Sequence, residues 1–465
     1  MNYCNPQPRS VLISVVLLAA LASLCACGGG AAAVGGAGSA DQPLSAAAQL
    51  GEKIFVDQAL SVSGQQSCAT CHVAAYAFAA DPGADGPDHG LPVPLGGAHM
   101  DEPGFRNAPS LMYASFAPAF YFDADGSPNG GFFRDGRAAT LADQAVQPFI
   151  TPFEMANADA AAVIERLKGR PYVADFTALY GADVLNDAPT ALQRMGQALA
   201  AFETESAEFH PFSSKYDAWL RGQATLTAQE LRGLALFNDP TKGNCSACHP
   251  STSGDGVTPA LFTDFSFDNL GVPRNIKIPA NAAATAPAYT PINSDDGIQS
   301  YYDLGICGPL RNDGAMNLSG LCGQFKVPTL RNIARTAPYF HNGRFTTLQD
   351  AVGFYVRRDT NPDQFYPTTV DGSVTKFDDL PSQYGGQFVV NIHQPASDAG
   401  YLGNVNTLEI PYNRALGGQP ALDAGEINDL ITFLCTLTDG FDPKNPDALV
   451  LPAQCQAALD GAATP

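Results

Sequence analysis

The order of apolar and polar residues predicts a leader, a tether and two helical stretches. Residues 11–24 form an apolar run that is too short for a comfortable membrane span. Residues 28–43 form a tether rich in Gly and Ala. Helical stretches then begin after Ser45 and Thr227, which are residue types that favour the N-cap position.

The two helical stretches repeat one another. After Ser45 the chain has Gly-Glu-Lys-Ile-Phe-Val-Asp starting at Gly51, and after Thr227 it has Gly-Leu-Ala-Leu-Phe-Asn-Asp starting at Gly233. Recurrence of one helical unit indicates two similar domains. No further repeat is evident outside these units.

Each helical unit is followed by a Cys-x-x-Cys-His motif. This pentapeptide is typical of covalent c-type haem, because the two cysteines form thioethers with the haem vinyl groups and the histidine is the proximal iron ligand. Neither motif has a further Cys-x-x-Cys pair beside it to complete a zinc site. The predicted haem-binding residues are Cys68, Cys71 and His72 for the first haem and Cys245, Cys248 and His249 for the second.

These patterns predict a mostly α fold with two cytochrome c-like haem domains, long loops and few or no strands. The first domain spans residues 44–222, and its closing helix is expected at 191–205. The second spans 223–465, and its closing helix is expected at 423–437. An insertion rich in Pro, Ala and Asn occupies about 254–323 of the second domain.

The N-terminal residues 1–27 have the features of an export signal. The sequence Leu-Cys-Ala-Cys that ends at Cys27 resembles a bacterial lipobox, which predicts a lipoprotein signal peptide and lipidation of Cys27. The alternative is a plain secretory signal that is cleaved nearby. In both cases the mature protein is expected in the periplasm, and a lipid at Cys27 would be its only membrane attachment.

The net charge and the cysteine content indicate which partners and which disulfide bonds to expect. The formal net charge is −21, which excludes nucleic acid as a partner and favours either a basic protein partner or solubility alone. Four cysteines outside the leader and the haem motifs suggest two disulfides in an oxidising compartment. Short loops favour the pairs Cys307–Cys322 and Cys435–Cys455, although spacing alone does not determine connectivity.

Several further segments bring the chain close to a known family. They are Arg-Asn-Ala-Pro-Ser at 106–110, Phe-Phe-Arg-Asp-Gly-Arg at 132–137, Lys-Val-Pro-Thr-Leu-Arg-Asn at 326–332 and Thr-Ala-Pro-Tyr-Phe-His-Asn-Gly at 336–343. With the haem motifs, they make the chain resemble the bacterial di-haem cytochrome c peroxidases and their MauG-like relatives over nearly all of its mature length. The resemblance implies two covalently bound haem c groups and a reaction with hydrogen peroxide.

The resemblance places the sixth ligand of the second haem at Tyr355. Peroxidases of the family have methionine there and MauG has tyrosine, and this chain has no methionine after Met316. A thioether stabilises Fe(II), whereas an anionic phenolate stabilises higher oxidation states and lowers the potential. The alternative for Tyr355 is an aromatic core residue with no role at iron.

The first haem is expected to be the site where peroxide reacts. The resemblance places Gln144 and Glu154 in its distal pocket, where a carboxylate can act as a general acid–base group. His99 occupies the region where the peroxidases carry a histidine that caps the first haem, and His89 is an alternative. If neither histidine binds, the first haem is open to peroxide.

The same resemblance reveals one position where this chain differs from its relatives, and it implies one bound metal ion. Relatives have a tryptophan between the haems where this chain has Arg134, which cannot act as a redox relay. A calcium ion is expected between the domains, bound by the Asn107 side chain and by the backbone carbonyls of Thr336 and Pro338, since calcium prefers oxygen ligands.

These features favour a MauG-like oxidase that uses hydrogen peroxide to oxidise an exported protein partner by long-range electron transfer. The alternative is a cytochrome c peroxidase that takes electrons from a small c-type cytochrome, which His99 would favour and Tyr355 would oppose. A di-haem electron carrier without catalytic activity is the least favoured of the three.

The lipobox generates a direct prediction. Replacing Cys27 with Ser removes the thiol that the motif marks for lipidation, so the variant should move from the membrane to the soluble fraction. Cell fractionation and immunoblotting measure this, with Cys25→Ser as the matched control. Unchanged membrane association of Cys27→Ser would contradict the lipoprotein assignment.

Overall fold

The computed structural model describes residues 43–83, 90–282, 286–292, 300–313, 318–393 and 401–459. The predicted leader, Cys27 and His89 lie outside these residues. The described part is mostly helical with few short strands, which confirms the predicted fold class. Its helices are α1 (Ala46–Phe55), α2 (Cys68–Cys71), α3 (Leu141–Ile150), α4 (Ala160–Lys168), α5 (Val173–Tyr180), α6 (Ala188–Glu205), α7 (Lys215–Leu220), α8 (Ala228–Asn238), α9 (Leu348–Arg357), α10 (Ala424–Cys435) and α11 (Ala453–Leu459).

The strands form four small antiparallel ribbons. They are β1 (Leu95–Gly96) with β2 (Glu102–Pro103), β3 (Tyr121–Phe122) with β4 (Pro128–Asn129), β5 (Phe267–Asp268) with β6 (Phe325–Lys326), and β7 (Ser373–Lys376) with β8 (Phe388–Asn391). Across the described ranges, no helix is both long and apolar enough to span a bilayer.

The predicted helical repeat is present at both haem motifs. Ser45 accepts a hydrogen bond from the Ala48 amide, and Thr227 accepts one from the Glu230 amide, so both are the expected N-caps. Helix α1 crosses the closing helix α6, and α8 crosses the closing helix α10. At the crossings a Cβ on Gly51 or Gly233 would collide with a backbone carbonyl of the partner helix, so glycine allows the close approach.

Buried apolar side chains form two large clusters that follow the two halves of the chain. The fully buried members of one cluster lie between Leu50 and Phe212, and those of the other lie between Tyr216 and Ala458. This separation agrees with two cores of similar plan. The exact domain boundary at 222/223 stays a prediction.

A second repeat, which our sequence analysis missed, links the halves. Residues 132–137 (Phe-Phe-Arg-Asp-Gly-Arg) correspond to 339–344 (Tyr-Phe-His-Asn-Gly-Arg), and the Pro-Ser-Leu after Asn107 corresponds to the Pro-Thr-Leu after Lys326. The Asn107 amide donates to the His341 carbonyl over 2.8 Å, and the Lys326 amide donates to the Arg134 carbonyl over 2.8 Å. Each half of the chain therefore donates the same backbone hydrogen bond to the other half through equivalent residues. This is the pattern that an approximate two-fold relation between the halves produces.

The described parts of the insertion pack against the first half of the chain. Asp303 pairs with Arg106 at 2.6 Å, and the Arg106 guanidinium also reaches Asp135 at 2.7 Å. Arg311 donates to the Asp135 carbonyl over 2.7 Å. The insertion therefore supplies one carboxylate to a buried ion-pair network centred on Arg106 and one guanidinium that bonds the backbone of Asp135.

Two disulfide bonds join the pairs that the short loops favoured. Cys307 and Cys322 are bonded at 2.20 Å within the insertion. Cys435 and Cys455 are bonded at 2.02 Å and link the end of α10 to α11. The four cysteines of the haem motifs are not in disulfides, so all four are available for thioether bonds.

The helix crossing at Gly51 yields a stability prediction. A methyl group there would collide with the Ala198 carbonyl, so Gly51→Ala should lower the free energy of unfolding by about 1–3 kcal/mol. Denaturant unfolding of the haem-loaded protein measures this. Gly254→Ala is the control, since a Cβ at Gly254 meets nothing within 4 Å. Equal stability of the two variants would contradict the packing argument.

Candidate haem sites

The two motif histidines have the same backbone environment. His72 caps the end of α2, and its Nδ1 lies 2.9 Å from the Phe78 carbonyl oxygen. The Nδ1 of His249 lies 2.8 Å from the Phe262 carbonyl oxygen. Because a carbonyl only accepts, each Nδ1 carries the proton and each Nε2 is left to bind a metal. Burial lowers the pKa of both imidazoles, which favours the neutral form that ligates iron.

One cavity of about 670 Å³ reaches both histidines. Three motif cysteines, Cys71, Cys245 and Cys248, line this cavity, and Cys68 lines an adjoining space of about 60 Å³. Thioether-forming cysteines and imidazole ligands therefore face a common space, and the residues present fit two c-type haems.

Tyr355 lies in the half of the cavity that contains His249. It is on α9 and its ring is 6.1 Å from that of Tyr412. Burial, with Glu409 nearby, raises the pKa of Tyr355 well above its ordinary value. The Tyr412 hydroxyl donates to the Gly243 carbonyl. Among the described residues that line the cavity, Met112 is the only methionine, and its sulfur accepts a hydrogen bond from Asn332 at 3.2 Å.

Gln144 and Glu154 meet in the other half of the cavity, together with His72. Gln144 lies on α3, and Glu154 follows a short turn after that helix. Burial raises the pKa of Glu154, although a hydrogen bond with Thr151 and the Arg137 charge oppose this. The sequence prediction that these two polar residues share one pocket agrees with their positions; their catalytic role stays a prediction.

The second repeat identifies a further residue of this pocket. Leu141 and Leu348 begin the equivalent helices α3 and α9, so Pro148 occupies the position that Tyr355 has in the other half. Pro148 lines the cavity and has no side-chain atom that can bind a metal. The repeat therefore places a side chain that is able to bind a metal at this position in one half and an inert ring at the equivalent position in the other.

His99 lies apart from both haem sites. It is exposed in the turn between β1 and β2, and it does not line the cavity. Its predicted role as a cap of the first haem has no support from this position and stays a prediction.

The residues expected to bind calcium are close together. Asn107 is 3% exposed, and its side chain contacts the Pro338 carbonyl. Thr336 and Pro338 line the same cavity as Asn107. Within the described ranges no group of three or more His, Cys, Asp or Glu side chains is arranged to hold a metal ion. The available ligands are therefore amide and carbonyl oxygens, which suit calcium.

Arg134 lies where the two halves exchange hydrogen bonds. Its Nε donates to the Asn107 carbonyl over 3.0 Å, while its own carbonyl accepts from Lys326. Its equivalent in the second half, His341, stacks on Phe325 with ring centroids 3.7 Å apart. Arg134, Phe325 and His341 all line the cavity.

Glu203 is a site residue that the sequence analysis missed. It is 4% exposed on α6 and lines the smaller space with Cys68 and Glu154. Burial raises the pKa of Glu203 to about 8. The only signal in the sequence is an acidic residue within an otherwise apolar stretch of the closing helix, which helical solvent faces also produce.

Comparison with known proteins agrees with this architecture. Residues 45–225 match the family model "Di-haem cytochrome c peroxidase". The methylamine utilization protein MauG of Paracoccus denitrificans is 41% identical over 69% of this chain and 77% of its own length. Cytochrome c551 peroxidase of Pseudomonas aeruginosa is 30% identical over 65% of this chain and 70% of its own. The crystal structure of the dihaem peroxidase BthA from Burkholderia thailandensis has a TM-score of 0.71 at 36% identity and covers 88% of this chain and 91% of that one.

The chain therefore belongs to the di-haem cytochrome c peroxidase family. It is a peroxide-dependent oxidoreductase with two c-type haems.

Proposed function

We propose that this protein is a MauG-like oxidase that reacts with hydrogen peroxide at the first haem and oxidises an exported protein partner by long-range electron transfer. The observation that carries the proposal is the residue in the second haem pocket. Tyr355 faces the same cavity as His249, and the only cavity methionine among the described residues lies in the first half. The similarity to MauG supports the same assignment.

The haem groups are held by the two motifs in this proposal. Cys68 and Cys71 attach the first haem and His72 binds its iron, while the equivalent residues Cys245, Cys248 and His249 hold the second. The bound haems supply iron that accepts and donates electrons. Tyr355 would bind the second iron as a phenolate, because a bound cation favours the ionised form that burial alone disfavours.

Glu154 and Gln144 perform the proton chemistry of the first site. The Glu154 carboxylate would accept a proton from one oxygen of hydrogen peroxide and donate it to the other, which assists cleavage of the O–O bond. The two electrons that this cleavage requires would come from the bound haems. The raised pKa of Glu154 brings its proton affinity closer to neutral pH, which suits a group that must both accept and release a proton. The Gln144 amide orients the peroxide. Pro148 lines the same space and has no side-chain atom that can bind a metal, so it would leave room for the peroxide.

The alternative function is a cytochrome c peroxidase that reduces peroxide to water with electrons from a small c-type cytochrome. The similarity to cytochrome c551 peroxidase favours it. The absence of a second-haem methionine among the described cavity residues opposes it. We also propose a periplasmic location with a lipid anchor at Cys27, for which the support is the lipobox alone.

The ligand proposal predicts the effect of Tyr355→Met. A thioether in place of a phenolate should raise the midpoint potential of the second haem, measured by spectroelectrochemical titration. Tyr412→Phe is the matched control, because Tyr412 shares the cavity but its hydroxyl is bonded to Gly243. If the midpoint potential of the second haem changes in Tyr412→Phe but not in Tyr355→Met, the proposed assignment is wrong and Tyr412 is the ligand.

The proton-transfer proposal predicts the effect of Glu154→Gln. The amide is similar in shape but cannot accept a proton, so the rate of the peroxide reaction should fall by about 10²–10⁴. Stopped-flow absorbance of the oxidised protein measures the rate, and Glu165→Gln on the exposed face of α4 is the control. A near-normal rate in Glu154→Gln would remove this carboxylate from the mechanism.

We further propose that calcium binds Asn107 and the carbonyls of Thr336 and Pro338. Wild-type protein dialysed against calcium buffer should retain about one ion per chain, measured by atomic emission, and Asn107→Ala should retain less. Wild-type protein without bound calcium would contradict this site.

A further inference from the structure

Arg134 and Lys326 are two cationic side chains at the junction between the haem sites. Arg134 is hydrogen-bonded to Asn107 through its side chain and to the Lys326 amide through its carbonyl. Asn107 precedes the Pro-Ser-Leu segment beside His72, and Lys326 precedes the equivalent segment beside His249. Both cations line the haem cavity, so each is placed within reach of a group bound there.

The other cations of this region already have carboxylate partners. Arg106 is paired with Asp135 and Asp303 at 2.7 and 2.6 Å, and Arg137 is paired with Asp135 at 3.0 Å. The carboxylates closest to Arg134 and Lys326 are therefore engaged elsewhere.

Among the described residues, the side chains of Arg134 and Lys326 have backbone acceptors only. Arg134 donates to the Asn107 carbonyl, and the Lys326 ammonium donates to the Gly131 carbonyl. Neither forms an ion pair with a carboxylate of the described chain. Burial lowers the pKa of Lys326 to about 8, because burying a cation without an anion beside it costs free energy.

A carboxylate bound in the cavity would balance the positive charges of Arg134 and Lys326. Each c-type haem carries two propionate groups, and the family binds two haems. A guanidinium can hold a carboxylate through two hydrogen bonds, and an ammonium can hold one as a point charge.

We propose that Arg134 and Lys326 bind haem propionates at the junction of the two sites. The inference rests on the two haems of the family and does not depend on which partner the enzyme oxidises. Cationic groups beside the propionates offset their negative charge and stabilise Fe(II), which raises the reduction potential.

The test uses the haem-loaded protein and compares Arg134→Gln and Lys326→Gln with wild type. Each variant should shift the Fe(III)/Fe(II) equilibrium of at least one haem about tenfold toward Fe(III), which is 59 mV for a one-electron couple. Spectroelectrochemical titration measures the shift. Arg232→Gln removes the same charge from an exposed, carboxylate-paired side chain and should leave both potentials unchanged. Arg134→Lys retains the cation and should retain most of the wild-type potential.

A second measurement remains available if a variant fails to incorporate haem. Redox-difference infrared spectra of wild-type protein, with the propionate carboxyls labelled by ¹³C, should show carboxylate bands shifted by cationic hydrogen bonding, and these should respond to Arg134→Lys. Potentials of the Gln variants that match the Arg232→Gln control, or propionate bands typical of water-exposed carboxylates, would overturn the proposal.

Discussion

The structure depends on one reciprocal exchange of hydrogen bonds. The Asn107 amide bonds the His341 carbonyl, and the Lys326 amide bonds the Arg134 carbonyl, each over 2.8 Å. Asn107 and Lys326 each precede a segment whose proline backbone lies beside a motif histidine. The exchange therefore connects the surroundings of the two haem sites, which line one cavity. The Arg106 network and the insertion's Asp303 reinforce the junction with buried ion pairs.

Equivalent positions in the repeat carry different chemistry. Both histidines donate Nδ1–H to a carbonyl, so their iron-binding atoms are prepared in the same way. Elsewhere in the cavity the halves differ, with Pro148 in the first half and Tyr355 at the equivalent position in the second. In the proposed function, the first site would admit peroxide and Tyr355 would close the second. The repeat thus offers equivalent positions whose residues have different ligand chemistry.

Local patterns predicted much of this molecule, because haem attachment and N-caps depend on a few adjacent residues. Ser45 and Thr227 are the expected N-caps for that reason. The contacts of Gly51 and Gly233 with the closing helices were not predicted, because the residues that they meet lie far away in sequence. Pro148 could have been found as well, since the Thr-Leu pair before α3 recurs before α9. Glu203 and Asp303 could not, because their burial and partners depend on contacts between residues far apart in sequence.

The most direct test of the proposed oxidase is an absorbance titration, from the visible through the near-infrared, of the fully oxidised protein with stoichiometric hydrogen peroxide. An open first site beside Pro148 and a tyrosine-ligated second site predict a rapid spectral change without prior reduction. No change until one haem has been reduced would contradict the account, and would indicate a capped first haem and a cytochrome c peroxidase.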